Sequence, residues 1–173
     1  MSREAMLTRC RAALIVFMAG LIVSGLTAFP LLAELRLLAS MLGIQTAASP
    51  DSYTGLRFWI ATVRLGLERS YVSYPWLAYG TDWLAFAHLV LAVFFIGPLV
   101  DPVRNRWVLV AGLVSCALVV PLALVAGAVR GIPFYWRLID CSFGIGGSIP
   151  LIYCLRLTSP SRQSPPSAPT ASV

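Results

Sequence analysis

The sequence predicts an all-α integral membrane protein: a four-helix bundle with one interfacial amphipathic helix between spans 1 and 2. Hydrophobic residues make up 58% of the 173-residue chain and charged residues only 12%, whereas soluble proteins carry about 25% charged residues. Four apolar runs are each long enough to cross a hydrocarbon core of about 30 Å at a rise of about 1.5 Å per residue. These observations predict a transmembrane helical domain over residues 1–158 and a disordered C-terminal tail over residues 159–173.

The four predicted spans cover residues 12–33, 81–99, 107–129 and 134–157. The first follows a basic N-terminus, which is also typical of a signal peptide, but its apolar run exceeds the roughly 7–15 residues of a signal-peptide core. The nearest small-residue site, Leu26-Thr27-Ala28, has a leucine where cleavage favours a small residue. We therefore expect the first span to be retained as an anchor. Its helix is expected to continue past Pro30 to Leu42 as a less buried extension.

The segment over residues 51–69 predicts the amphipathic helix, lying along the membrane interface or packed on the protein's own outer surface. Ser49-Pro50-Asp51 is typical of a helix start, with an N-cap serine, a proline at the first position and an acid in the first turn. The helix has an apolar face at helical spacing and a polar one: Leu56, Ile60, Val63 and Leu67, against Arg57, Arg64 and Glu68. So many charges make a crossing of the bilayer unfavourable.

Five ionisable residues fall at or within the predicted spans, where lipid disfavours charge: Asp82, His88, Arg130, Arg137 and Asp140. A charge at the bilayer centre costs roughly 2.5–3.5 kcal/mol, so such residues usually face a bundle interior or water. The order of the spans predicts that all five lie at one depth in the membrane, with His88 facing Asp140. Such a polar cluster suits a binding site or a proton relay.

Four of the five members of the polar cluster also have a structural explanation. Arg137 and Asp140 have the spacing of an ion pair on one helix face. Asp82 stands at a helix start, where it complements the helix dipole. A lone histidine such as His88 commonly fills a polar position in a helix interface. The sequence leaves these alternatives open.

Small residues predict where helices approach closely. Ala123, Gly127 and Gly131 recur at four-residue spacing and predict a packing surface, either within the chain or between subunits. Gly144-Ile145-Gly146-Gly147 lies inside an apolar span and is interpreted in the same way. Pro121, in the middle of the third span, removes one backbone hydrogen bond and predicts a kink.

Residue usage argues against several chemistries. The chain has one histidine and four cysteines without metal-ligand spacing, so no metal site and no catalytic residue is predicted, and no cofactor is identified. The pI is near 9.6, yet the arginines are scattered among apolar runs and do not form the basic face typical of nucleic-acid binding. They favour an orientation in a bacterial inner membrane with both termini cytoplasmic.

The leading functional hypothesis is therefore a non-catalytic structural or accessory subunit that packs with other membrane proteins or with itself. One alternative is a small carrier or proton-coupled binding protein that uses the polar cluster. Another is a small membrane enzyme acting on a lipid or quinone at the interface, with arginines that recognise an anionic headgroup. In each case the lipid bilayer is an expected partner. Among these hypotheses the sequence favours a role without enzymatic activity.

Overall fold

A computed structural model describes residues 2–159, which are helical throughout apart from turns and short connections. The predicted tail, residues 159–173, lies outside the described residues except for Ser159. Within residues 2–159, four helical stretches are long and apolar enough to cross a membrane: Arg3–Ala28, Pro75–Val100, Arg106–Val129 and Phe134–Leu157. The all-helical fold class and the four long apolar helices are thus confirmed.

Within the described residues the α-helices run in chain order as α1 Arg3–Ala28, α2 Leu31–Met41, α3 Gly55–Ser73, α4 Ala78–Phe94, α5 Ile96–Val100, α6 Arg106–Pro121, α7 Gly127–Val129 and α8 Phe134–Leu157. Pro50–Ser52 and Pro75–Leu77 form 3₁₀ turns, and a π turn over Leu122–Ala126 joins α6 to α7. The chain divides into two compact units. The middle unit comprises residues 21–93, and the terminal unit comprises residues 2–20 and 94–159.

The helix expected to run through Pro30 is instead two helices. α1 ends at Ala28 and α2 begins at Leu31, with Pro30 at the position before its first turn. Proline has no N–H to continue the helical ladder, and its ring disfavours helical backbone at the preceding residue, Phe29. The carbonyl of Pro30 then accepts the first hydrogen bond of α2, from the N–H of Glu34 at 3.0 Å.

The expected amphipathic helix also differs in its start and in its buried face. Ser49-Pro50-Asp51 opens only the 3₁₀ turn; the backbone is extended at Tyr53 and Thr54, and α3 begins afterwards. Of the predicted apolar face, Ile60 is buried at 1% exposure but Leu56 is 45% exposed, and Arg64, assigned to the polar face, is only 3% exposed. The physical reason is that α3 packs against α2, and the residues around Arg64 form that contact.

In the terminal unit, glycines allow α6 and α8 to form the most extensive helix contact of the fold. A Cβ on Gly144 would overlap the backbone oxygen of Cys116, and one on Gly147 would lie 3.0 Å from the Cys116 sulfur. Gly112 makes room in the same way for the ring of Phe95. Close approach of helix backbones through small residues is how helices pack where the surroundings are as apolar as their side chains.

Arginines satisfy helix ends in the same unit. Arg11 donates from Nε to the carbonyl of Leu99 at 3.1 Å and from Nη2 to that of Val100 at 3.0 Å. Arg106 donates to the carbonyl of Leu155 at 2.9 Å and to the hydroxyl of Thr158 at 3.0 Å. Because the last carbonyls of a helix have no partner within it, each arginine supplies donors that the helix lacks.

Gly144→Ala is expected to destabilise the protein by about 1–3 kcal/mol, because the added methyl group would force α6 and α8 apart. Gly146→Ala is the matched control: nothing lies within 4 Å of its added Cβ, and alanine has the higher helix propensity. Thermal unfolding of both variants in mild detergent measures the difference. Equal unfolding midpoints would contradict the assigned packing.

Candidate functional site

The structure assigns the five residues of the predicted polar cluster to its two units. Asp82 and His88 lie on α4 in the middle unit. Arg130 follows α7, and Arg137 and Asp140 lie on α8, all in the terminal unit. Within the terminal unit, Arg130 and Asp140 line the same groove. The juxtaposition of His88 with Asp140 stays a prediction.

His88 lies at a close crossing within the middle unit. Its Nδ1 is 2.8 Å from the carbonyl oxygen of Leu84 on the same helix; since a carbonyl only accepts, Nδ1 is the donor in this contact. A Cβ on Gly25 of α1 would lie 3.2 Å from the His88 Cβ and 2.9 Å from the carbonyl oxygen of Ala85. His88 is therefore a half-buried residue at a helix–helix contact.

Arg137 supports the π turn. Its Nη1 donates to the carbonyl of Leu124 at 3.2 Å, and its guanidinium carbon lies 5.3 Å from the ring centre of Phe134. Its aliphatic part covers Gly127, where an added Cβ would lie 2.6 Å from the Arg137 Cδ. Among residues 2–159, the ion pairs within 4 Å are both formed with Glu68, so Arg137 and Asp140 are not paired.

The three small residues predicted as a packing surface have different environments. Gly127 receives the side chain of Arg137, and Ala123 lines the groove described below. Gly131 has a φ of +70° and ends the helix. The N–H of Ile132 bonds to the carbonyl of Gly127 at 2.9 Å, and that of Gly131 to the carbonyl of Ala128 at 3.1 Å. This pair of hydrogen bonds is a Schellman motif, in which glycine takes the left-handed conformation without strain.

The groove lies beside the π turn and has a volume of about 290 Å³. We call it the π-turn groove; its lining residues are Val119, Leu122, Ala123, Ala126, Gly127, Arg130, Ile132 and Asp140. Neither Arg130 nor Asp140 has a side-chain hydrogen bond or an ion pair among the described residues. An otherwise apolar groove thus carries one arginine and one aspartate, neither of them paired within residues 2–159. π turns occur frequently at functional sites.

The middle unit contains a second cluster of charged residues, Arg36, Arg64 and Glu68. None of the three belongs to the predicted polar cluster. Arg36 Nε lies 2.8 Å from Glu68 Oε1, and Arg64 Nη1 lies 3.3 Å from Glu68 Oε2. Arg64 and Glu68 lie four residues apart on one helix, a spacing that is visible in the sequence and typical of a helical ion pair. The contact between Glu68 and Arg36 is not visible in the sequence, because it depends on the packing of α3 against α2, which follows the break at Pro30.

Replacing Arg137 by leucine is expected to lower the stability of the protein by about 1–3 kcal/mol, because the Leu124 carbonyl loses its charged donor. Arg156→Leu is the matched control, since Arg156 is exposed on the same helix. The readout is the thermal unfolding midpoint in mild detergent. A variant of Arg137 as stable as that of Arg156 would show that Arg137 does not support the π turn.

No group of three or more His, Cys, Asp or Glu side chains within residues 2–159 could hold a metal ion. Comparison of the chain with models of known protein families, with curated proteins and with solved structures gives no match. The functional conclusions below rest on the geometry of the chain itself.

Proposed function

We propose that this chain is a non-catalytic membrane subunit that assembles with a second copy of itself through the π-turn groove. The observation that carries the proposal is the pair of opposite charges in this groove. Asp140 and Arg130 both line it, and neither is paired within residues 2–159. The four long apolar helices support insertion in a membrane.

Within a membrane, a charged side chain without a partner raises the free energy of the protein. Asp140 lies in the second turn of α8, one of the four helices apolar enough to span a membrane. Ionisable residues in such helices pair with one another or face water, because lipid does not solvate them. A partner outside the described chain would lower this cost by supplying a cation to the Asp140 carboxylate.

A second copy of the chain has the chemistry to do this. A two-fold contact brings the same surface of each copy together, so a groove that carries both charges is complementary to itself. Arg130 would then pair with the partner subunit's Asp140, and Asp140 with the partner subunit's Arg130. Ala123 and Ala126 line the groove between them, and small residues let helices of two subunits approach closely.

Charge reversal tests the proposal. Arg130→Asp and Asp140→Arg should each abolish self-association, because like charges then meet across the two-fold axis. When the two variants are co-expressed with different tags, the mixed dimer places arginines opposite aspartates at both positions and should form. Pull-down of one tag through the other in detergent, with blue-native electrophoresis, measures both outcomes.

Arg104→Asp is the control for a general effect of charge, since Arg104 is exposed in the turn before α6 and does not line the groove. It should associate like the wild type. The proposal is wrong if the wild type is strictly monomeric, or if the two single variants still self-associate. Failure of the mixed pair to associate, when both variants insert and fold, would also overturn it.

A further inference from the structure

The middle unit contains a pocket between α2 and α3 whose charge is not balanced. We call it the arginine cleft; its polar lining residues are Arg36, Ser40, Thr46, Arg64 and Glu68, and its volume is about 130 Å³. Pockets for drug-sized ligands measure about 300–1,000 Å³, so this cleft has room only for a small group. It belongs to a different unit from the π-turn groove and is independent of the function proposed above.

Arg64 is buried but poorly satisfied. It is 3% exposed, its Nη1 lies 3.3 and 3.4 Å from the two oxygens of Glu68, and its Nη2 lies 3.4 Å from the carbonyl oxygen of Thr46. Charge-assisted hydrogen bonds of this kind are normally about 2.7–2.9 Å. Its Nε has no hydrogen-bond partner among the described residues.

The unpartnered Nε of Arg64 and its weakly bonded Nη2 lie on one edge of the guanidinium. Nε and Nη2 form the side edge that binds an oxyanion with two parallel hydrogen bonds. Arg11 shows this edge in a satisfied state, with both nitrogens bonded to carbonyls at 3.1 and 3.0 Å. In Arg64, Glu68 is on the other side, at Nη1, so the side edge keeps only the long contact to Thr46.

The net charge of the arginine cleft also favours binding of an anion. Two arginines and one glutamate line it, which gives a net charge of +1. Glu68 is shared, because its Oε1 also accepts from Arg36 Nε at 2.8 Å. A buried cation that is only partly compensated favours a further anionic ligand.

We propose that the arginine cleft binds one phosphate or phosphodiester group, held by the Nε/Nη2 edge of Arg64 and by Arg36. The Ser40 hydroxyl lines the same cleft and can donate a further hydrogen bond. The Arg36 side chain also lines the cleft and is 60% exposed. The Nε of Arg64 is covered in this structure, so binding at the Nε/Nη2 edge requires the side chains around it to rearrange. The phosphate group comes from a lipid headgroup or from free phosphate.

Isothermal titration calorimetry of the full-length protein in detergent tests the site with two probes. Inorganic phosphate represents the free anion, and a short-chain phosphatidylglycerol below its micelle concentration represents the lipid headgroup. Saturable binding of one probe per chain is expected. Arg64→Gln should weaken it at least about tenfold, because it removes a charged donor pair.

Glu68→Gln should instead tighten binding several-fold, because it removes the internal anion that competes for both arginines. This opposite sign separates a binding site from a structural ion pair, for which both substitutions would only destabilise the fold. Arg57→Gln is the matched control: Arg57 lies on the same helix, is exposed and does not line the cleft. Its affinity should equal that of the wild type.

Binding of phosphatidylglycerol alone would assign the site to a lipid headgroup, and binding of inorganic phosphate alone would assign it to the free anion. Both results support the site. The proposal is overturned if neither probe binds the wild type saturably, if Arg64→Gln and Arg57→Gln bind alike, or if Glu68→Gln weakens binding as Arg64→Gln does.

Discussion

Hydrogen bonds from arginine side chains to backbone carbonyls connect the helices of this structure. The chain has 13 basic residues against seven acidic ones, so carboxylates cannot balance them all. Helix ends have the complementary problem, because their last carbonyls lack donors. Arg11 at α5, Arg106 at α8 and Arg137 at the π turn each address both needs with one side chain.

Close helix packing is the second constraint, and it places the π-turn groove. Gly144 brings α8 against the backbone of α6 at Cys116. The π turn follows directly after Pro121, which cannot donate a backbone hydrogen bond. Arg137 then reaches from α8 into this turn, and Asp140, three residues further on, lines the groove beside it. The groove is thus a product of glycine and proline positions in two helices.

Much of the fold could be predicted from the sequence, because it depends on local composition. Four apolar runs of sufficient length predict four long helices, and the glycines at 144 and 147 predict close packing. The prediction that the first helix continues past Pro30 is wrong, because helical periodicity on both sides of a proline does not show whether the helix bends or ends. Ser49-Pro50-Asp51 is compatible with the start of a 3₁₀ turn as well as with the start of an α-helix. The two outcomes differ in the residues that follow, Tyr53 and Thr54, which are extended here.

The candidate sites were less predictable, because they depend on which helix faces meet. The helical pattern of α3 placed Arg64 on a polar face, yet packing against α2 buries it. Asp140 was recognised as a charge in an apolar span, but the spacing to Arg137 suggested a pair that the structure does not form. Side chains compete for partners across elements, and a single sequence does not show which partner is nearest.

Arg130 and Asp140 of the π-turn groove are proposed to meet a second copy of the chain. Crosslinking in native membranes tests this contact, with a cysteine at Ala126, in the groove, and a short bifunctional maleimide, in a protein whose partly exposed Cys116 is replaced by alanine. A crosslinked dimer is expected when Ala126→Cys is added. None is expected for Cys116→Ala by itself or with Ile149→Cys, a position that is 64% exposed on α8 and does not line the groove. No dimer at Ala126, or equal crosslinking at Ile149, would contradict it.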